Sequence, residues 1–236
     1  MTSSNSLPTL AILGGTGKEG PGLALRWAKA GYPVIIGSRQ AEKALSTAQE
    51  LNAKLALSNI RGMENAAAAR LAEISVLTVV QAAHQEALLS VKEALQGKIL
   101  VDATARVDFR NPKPPEPPSA ARQAQELLGE GVRVVAAFQN VPAHALKRDL
   151  DQPLDADVLV CADDLAAAQA VMALAVGGGM RAYFAGGLDN ALTVEGLTAL
   201  LIAINGYYKI KTASIQIAGI EGSGQNLEPP SIKSKT

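Results

Sequence analysis

Short apolar runs alternate along this chain with longer stretches whose apolar residues recur at helical spacing. The runs Ala11–Leu13, Val34–Ile36, Ser75–Val80, Ile99–Val101 and Val132–Ala137 read as strands. A continuous apolar run this short fits a strand buried on both faces, as parallel strands are. Between the runs, Gly22–Ala30, Ala41–Asn52, Glu64–Leu71 and His84–Gln96 read as helices. Regular strand–helix alternation predicts an α/β fold built on a doubly wound parallel sheet with right-handed crossovers. The proline-rich segment from Asn111 to Pro118 interrupts it. Prolines fix φ and lack a donor, so this segment is a surface loop.

After residue 145 the pattern continues on a smaller scale. Ala156–Cys161 and Met180–Ala185 read as strands, Asp164–Val176 and Leu192–Tyr208 as helices, and Ser214–Ile220 as a final strand. The expected organisation is a nucleotide domain over 9–145, a smaller C-terminal α/β unit over 146–220 that completes the acceptor site, and a disordered polar tail over 221–236.

Composition narrows the class. Of 236 residues, 48% are hydrophobic but only 3% aromatic, so the core is built from Ala, Val, Leu and Ile. Lys plus Arg and Asp plus Glu number 22 each. With no net charge, no global field draws nucleic acid or an anionic membrane. The first residues lack the pattern of a secretory signal, and no apolar stretch reads as long enough to span a membrane. These features point to a cytoplasmic protein. Cys161 is the single cysteine, which excludes a disulfide framework and reads as a small buried hydrophobe. No metal site is expected.

The most informative segment is TLAILGGTGKEGPG, residues 9–22. A strand runs directly into Gly15-Thr16-Gly17-Lys18-Glu19-Gly20 and then into a helix, the order a dinucleotide-binding turn of Rossmann type requires. The first glycine allows the turn, the second the approach of a pyrophosphate, and the third close packing of the helix. The helix N-terminus adds free N–H groups and the positive end of its dipole. Where the second strand ends, Ser38 and Arg39 stand in place of the acid that would hold a ribose 2′-hydroxyl. With Lys43 one helical turn on, they suit a 2′-phosphate, and the expected coenzyme is NADP.

Ligands of such a sheet sit beyond the carboxyl ends of its strands. The segments there are 79–84, 102–107 and 139–142, next to the two already described. Val79 and Val80 can wall a nicotinamide, and Gln139 and Asn140 can offer amides to a second substrate. Asp102 reads as an acid that orders the loop after it, His144 as structural or solvent-facing, and Trp27 as core or interface. With two histidines and one cysteine, hydrolytic and metal-based mechanisms have little material. Hydride transfer needs two stacked rings and a dry site, and no side chain is assigned to the chemistry itself.

Taken as a whole, LAILGGTGKEGPGLALRWAKAGYPVIIGSRQAEKA resembles the opening of the NADPH-dependent F420 reductases, the F420H2:NADP+ oxidoreductases. The likeness extends through IRGMENAAAA, VLTVVQAAH, VRVVAAFQNVPA and INGYYK, from Leu10 to Ile220. It implies hydride exchange between NADP(H) and the deazaflavin coenzyme F420, in a homo-oligomer, most simply a dimer. By the same resemblance Thr16–Glu19 hold the pyrophosphate and Ser38, Arg39 and Lys43 the 2′-phosphate. Val79, His84 and Ala143 border the nicotinamide half, and Gln139, Asn140, Val141 and Pro142 face the deazaflavin. Val80 stands where the family often has proline, and Gln139 where archaeal members have histidine. Two rival readings keep the same nucleotide site: a reductase of an imine, a flavin or a ferric complex, and a non-catalytic NADPH sensor.

Overall fold

In a computed structural model that describes residues 7–220, eight strands form one sheet in the order β3-β2-β1-β4-β5-β6-β7-β8. They are β1 Leu10–Leu13, β2 Val34–Ser38, β3 Ile60–Glu64, β4 Ile74–Leu77, β5 Ile99–Asp102, β6 Arg133–Ala136, β7 Asp157–Ala162 and β8 Arg181–Phe184. The first six are mutually parallel, and chain order reverses between β1 and β4. That reversal opens the crevice in which an α/β sheet binds its ligand. β7 departs from the expected all-parallel arrangement. It runs antiparallel to β6, while β8 runs parallel to β7.

Helices cover both faces: α1 Gly20–Lys29, α2 Ala41–Leu55, α3 Asn65–Leu71, α4 His84–Val91, α5 Ala120–Leu128, α6 Leu165–Gly177 and α7 Ala191–Tyr208. One apolar layer joins α1, α2 and α6 to the sheet through Leu23, Trp27, Ala44, Ala48, Val171 and Leu174. The other holds α3, α4 and α5 through Ala68, Leu88, Ala121 and Leu128. Residues before and after 145 share these two layers and the same sheet. Trp27 is wholly buried; its Nε1 donates to the Leu174 carbonyl at 2.9 Å, and its ring meets Phe138 edge-on at 5.7 Å. Burial pushes the Cys161 thiol up to about 11, which leaves it unreactive at neutral pH.

Several elements differ from the sequence reading. β3 is an edge strand whose Arg61 and Glu64 are exposed, so it shows no apolar run to find. α5 is capped by Ser119, which accepts from the Arg122 N–H at 3.0 Å, a signal hidden behind the proline-rich segment. The strand expected over Ser214–Ile220 does not form. There a single backbone bond, from Asp157 N to Ile215 O, accompanies a side-chain contact to Ile217, and one bond makes no ladder. The turn and helix over Leu188–Tyr208 are long and apolar enough, by length and composition, to cross a membrane, contrary to expectation. Thr, Gly and Asn residues scattered through the stretch disguise its apolar length. Its Glu195 is wholly buried against Arg106 and the Ala120 N–H, which ties the helix into the fold. The expected disordered tail over 221–236 lies outside the described residues.

Arg26 ties α1 to the segment after residue 145 through several hydrogen bonds. Arg26, on α1, is buried, and its guanidinium donates to the carbonyls of Leu146, Arg148, Gln152 and Gly178. Arg26→Leu would leave four carbonyls in search of partners. We expect it to lower the unfolding free energy by about 2–4 kcal/mol, read as a shift in the urea midpoint at constant slope.

Candidate active site

The glycine turn is set by backbone contacts. Gly15 N donates to the carbonyls of Ile12 and Gly37, which places the end of β2 directly beside the turn. Gly14 has φ +70, and a Cβ there would meet Val79 Cγ1 at 2.6 Å, so the loop after β4 presses on the same turn. The Gly14 N–H donates to Asn65 Oδ1 at 3.1 Å. This brace from α3 was not anticipated, because the strand leading into α3 was itself missed. A Cβ on Gly20 would fall 2.6 Å from Gly15, the close helix approach expected of the third glycine. Gly17 is different: a Cβ there would meet only the Gly14 and Thr78 carbonyls, at 3.4 and 3.8 Å, which is ordinary van der Waals contact.

Among the described residues the N–H groups of Thr16, Lys18 and Glu19 have no hydrogen-bond acceptor. They precede a helix that begins with Gly20 and Pro21, and they form the donor set that an anion requires. Ser38 is buried at the end of β2, where its Oγ accepts from the Gln40 N–H at 3.2 Å. Arg39 and Lys43 are exposed beside it and form no ion pair among the described residues. Phosphate-binding residue types therefore gather at the β2 end.

On the other side of the reversal, Val79 is half-buried and Val80 is 67% exposed, outside the strand that was expected to include them. His84 and Asp102 form a buried pair, Nε2 to Oδ2 at 2.6 Å. The second Asp102 oxygen accepts from the Thr104 N–H at 2.9 Å, so Asp102 does order the loop after it. Its pairing with His84 had no signal in the sequence, since the two residues meet only through the register of β4 against β5.

Beyond β6, Phe138 adopts φ +73 and turns the chain so that Gln139 and Asn140 are buried. Asn140 Nδ2 donates to the Asp157 carbonyl at 2.9 Å, while Thr198 Oγ1 on α7 donates to the Gln139 carbonyl at 3.0 Å. The Gln139 amide itself has no partner among the described residues at either Oε1 or Nε2. A buried primary amide left wholly unpaired is costly in a finished core and is expected where a ligand supplies its partners. Val141 is buried, and Pro142 and Ala143 are half-buried in the next turn. The two ends of the site, β2 and β6, are four strand spacings apart, about 19 Å.

Residues 9–106 match the family model for NADP oxidoreductases described as coenzyme F420-dependent. Over 221 residues the chain is 43% identical to the F420-dependent NADP reductase of Methanothermobacter marburgensis, covering 89% of this chain and 98% of that one. The chain belongs to this family. The F420-dependent NADP reductase of Methanocaldococcus jannaschii is 41% identical over 224 residues, 90% of this chain and 99% of the relative. Among solved structures, an Arthrobacter sp. FB24 protein proposed to be an F420-dependent NADP reductase superposes with a TM-score of 0.75. It is 26% identical and matches 90% of this chain and all of its own. The family likeness therefore runs through α7 and well past the nucleotide turn.

Glu19 places an acid at the start of α1. Its Oε1 is sealed and has no partner among the described residues, and burial pushes its pKa up from 4.5 to about 8. At neutral pH it is a neutral acid and adds no charge beside the free N–H groups. Because the folded value lies above the unfolded one, this group favours folding fully below about pH 4.5, and its contribution fades as pH rises to about 8. The stability gap between Glu19→Gln and the parent should therefore widen by about 2–4 kcal/mol from pH 5 to pH 9, measured by urea unfolding at both values. A constant gap would refute the assignment.

Proposed function

We propose that this chain is a cytoplasmic oxidoreductase that moves a hydride directly between NADP(H) and the deazaflavin coenzyme F420. The observation that carries the reading is the buried, unpartnered Gln139 amide at the same sheet edge as the glycine turn. Family membership and the names of the relatives support it.

The residues present fit both coenzymes. Gly15, Gly17 and Gly20 shape the turn, and the N–H groups of Thr16, Lys18 and Glu19 would receive the pyrophosphate. Ser38, Arg39 and Lys43 would hold the 2′-phosphate, the planar fork of Arg39 pairing with two of its oxygens. Val79, His84 and Ala143 would border the nicotinamide, with Asp102 fixing the imidazole of His84 through Nε2. Gln139 offers one donor and one acceptor to the deazaflavin ring edge; Asn140, Val141 and Pro142 hold that offer in place. Bound together, the two coenzymes supply a hydride donor carbon and an acceptor carbon of matched chemistry. The protein's part is to orient the two rings and keep water out.

The test traces deuterium from C4 of labelled NADPH. It should appear at C5 of the reduced deazaflavin without exchange into solvent, and arrival in solvent first would overturn the reading. In the same assay Gln139→Ala should raise the deazaflavin KM about tenfold and leave NADPH affinity unchanged. Arg39→Ala should weaken NADPH by about 1.5–3 kcal/mol and spare NADH.

The homo-oligomer belongs to the same proposal. Leu200, Ile204, Tyr207 and Tyr208 are exposed along α7 at the spacing of one helix face, at 56, 41, 80 and 66%. A second copy of the chain would cover that stripe, since α7 also holds the Gln139 loop and is fixed by Glu195. Sedimentation velocity should then report twice the chain mass, and Ile204→Glu should return a monomer.

A further inference from the structure

The first residue of β7 has every polar group engaged. Asp157 is wholly buried; its Oδ1 accepts from Arg181 Nε at 2.7 Å and its Oδ2 from the Ile217 N–H at 2.6 Å. Its N–H donates to the Ile215 carbonyl at 2.9 Å, and its carbonyl accepts from Asn140 Nδ2 at 2.9 Å. The N–H and C=O of a strand residue point to the same side of the strand. Ile215 and Asn140 therefore lie side by side along β7, and the segment after α7 runs next to the turn that carries Gln139.

That segment connects the two anchors of the turn. Thr198 on α7 donates to the Gln139 carbonyl, and Asp157 holds Asn140. Beyond α7 the chain is tied by Ala213 N to Asn205 Oδ1 at 3.0 Å, then by Ser214 Oγ to the Asp155 carbonyl at 2.7 Å, and it reaches Asp157 at Ile215 and Ile217. β7 meets β6 at its other end, where Cys161 and Ala162 pair with Ala136 and Val135. On the side of the turn, the start of β7 is thus met by this segment in place of a β6 residue. Of the segment's bonds, the one from Ile217 ends on a carboxylate, the stronger class of acceptor.

Resting on the function proposed above, we propose that Asp157 is a positioning residue for the acceptor half of the reaction: its carboxylate latches the 213–217 segment beside the Gln139–Asn140 turn, and the grip of that turn on the deazaflavin depends on the latch. With no exposed surface, Asp157 acts through the turn. An open latch frees the start of β7, and with it the carbonyl that holds Asn140, so the Gln139 amide is offered from a looser support. By linkage, a deazaflavin bound to the turn holds the latch shut in return.

Two measurements test this. In the NADP-loaded parent, saturation with oxidised F420 should slow hydrogen–deuterium exchange over residues 213–217 by about fivefold relative to NADP alone. Asp157→Asn keeps the size of the side chain but has one acceptor oxygen, which Arg181 and Ile217 must share. It should raise the deazaflavin KM about tenfold and leave NADPH affinity unchanged. The Arg181 side chain is 40% exposed and can turn to water, so Arg181→Met alone should keep the parent's deazaflavin KM. In the double variant Asp157→Asn/Arg181→Met the lone oxygen is free for Ile217, and the KM should return to within about twofold of the parent. A role in stability alone predicts the opposite order, with the double variant the worst. A deazaflavin KM that stays at the parent value in Asp157→Asn, or that the double variant does not restore, overturns the inference and leaves the proposed function standing. Exchange over 213–217 that ignores bound F420 does the same, and it decides alone should Asp157→Asn fail to fold. If F420 does not bind the parent, the inference and the function on which it rests fall together.

Discussion

The arrangement depends on a buried guanidinium that forms no ion pair among the described residues. Arg26 sits midway along the helix that starts at the glycine turn, and it gives its hydrogen bonds to four carbonyls from two irregular segments. Those carbonyls belong to chain that forms no ladder of its own and would otherwise be buried without donors. Any displacement of α1 therefore carries with it the 146–152 segment and the turn after α6. The helix that starts at the glycine turn thus also fixes the segment that follows the Gln139–Ala143 turn.

A second cluster fixes the opposite rim. Glu195 enters from α7 with no exposed surface, and its two oxygens take the Ala120 N–H and the Arg106 side chain. Burial pushes its pKa up, while the Ala120 N–H and the Arg106 charge pull it back. Between them lies the proline-rich loop, so one carboxylate closes a long excursion of the chain against the helix that also holds Gln139. Asp102 and His84 stand next to this cluster. Glu195, Asp102 and His84 thus gather beyond β5 and β6, while the glycine turn beyond β1 is shaped mainly by backbone contacts and the Asn65 side chain.

How much the sequence disclosed turns on what each feature depends on. The glycine turn, the Ser38-Arg39 pair and the central strands were legible because local spacing determines them. The edge strand β3 was not, because an edge needs no apolar run on both faces, and with it went Asn65, the brace of Gly14. The reversal of β7 was invisible for a different reason: strand polarity is decided by how the chain crosses the sheet, and apolar runs read the same in either direction. The His84–Asp102 pair lay in plain view as two residues, one at the start of a helix and one at the end of a strand. Only the register of β4 on β5 joins them. The Gln139–Pro142 segment was named from its place after a strand, yet its unpaired amide could be seen only once every neighbour was in position.

Trp27 is the only tryptophan in the chain, and its ring lies edge-on against Phe138, the residue whose left-handed turn presents Gln139. A single fluorophore thus stands one side chain away from the Gln139 turn, with no second indole to blur its signal. Its emission should therefore respond to any change in the packing of Phe138.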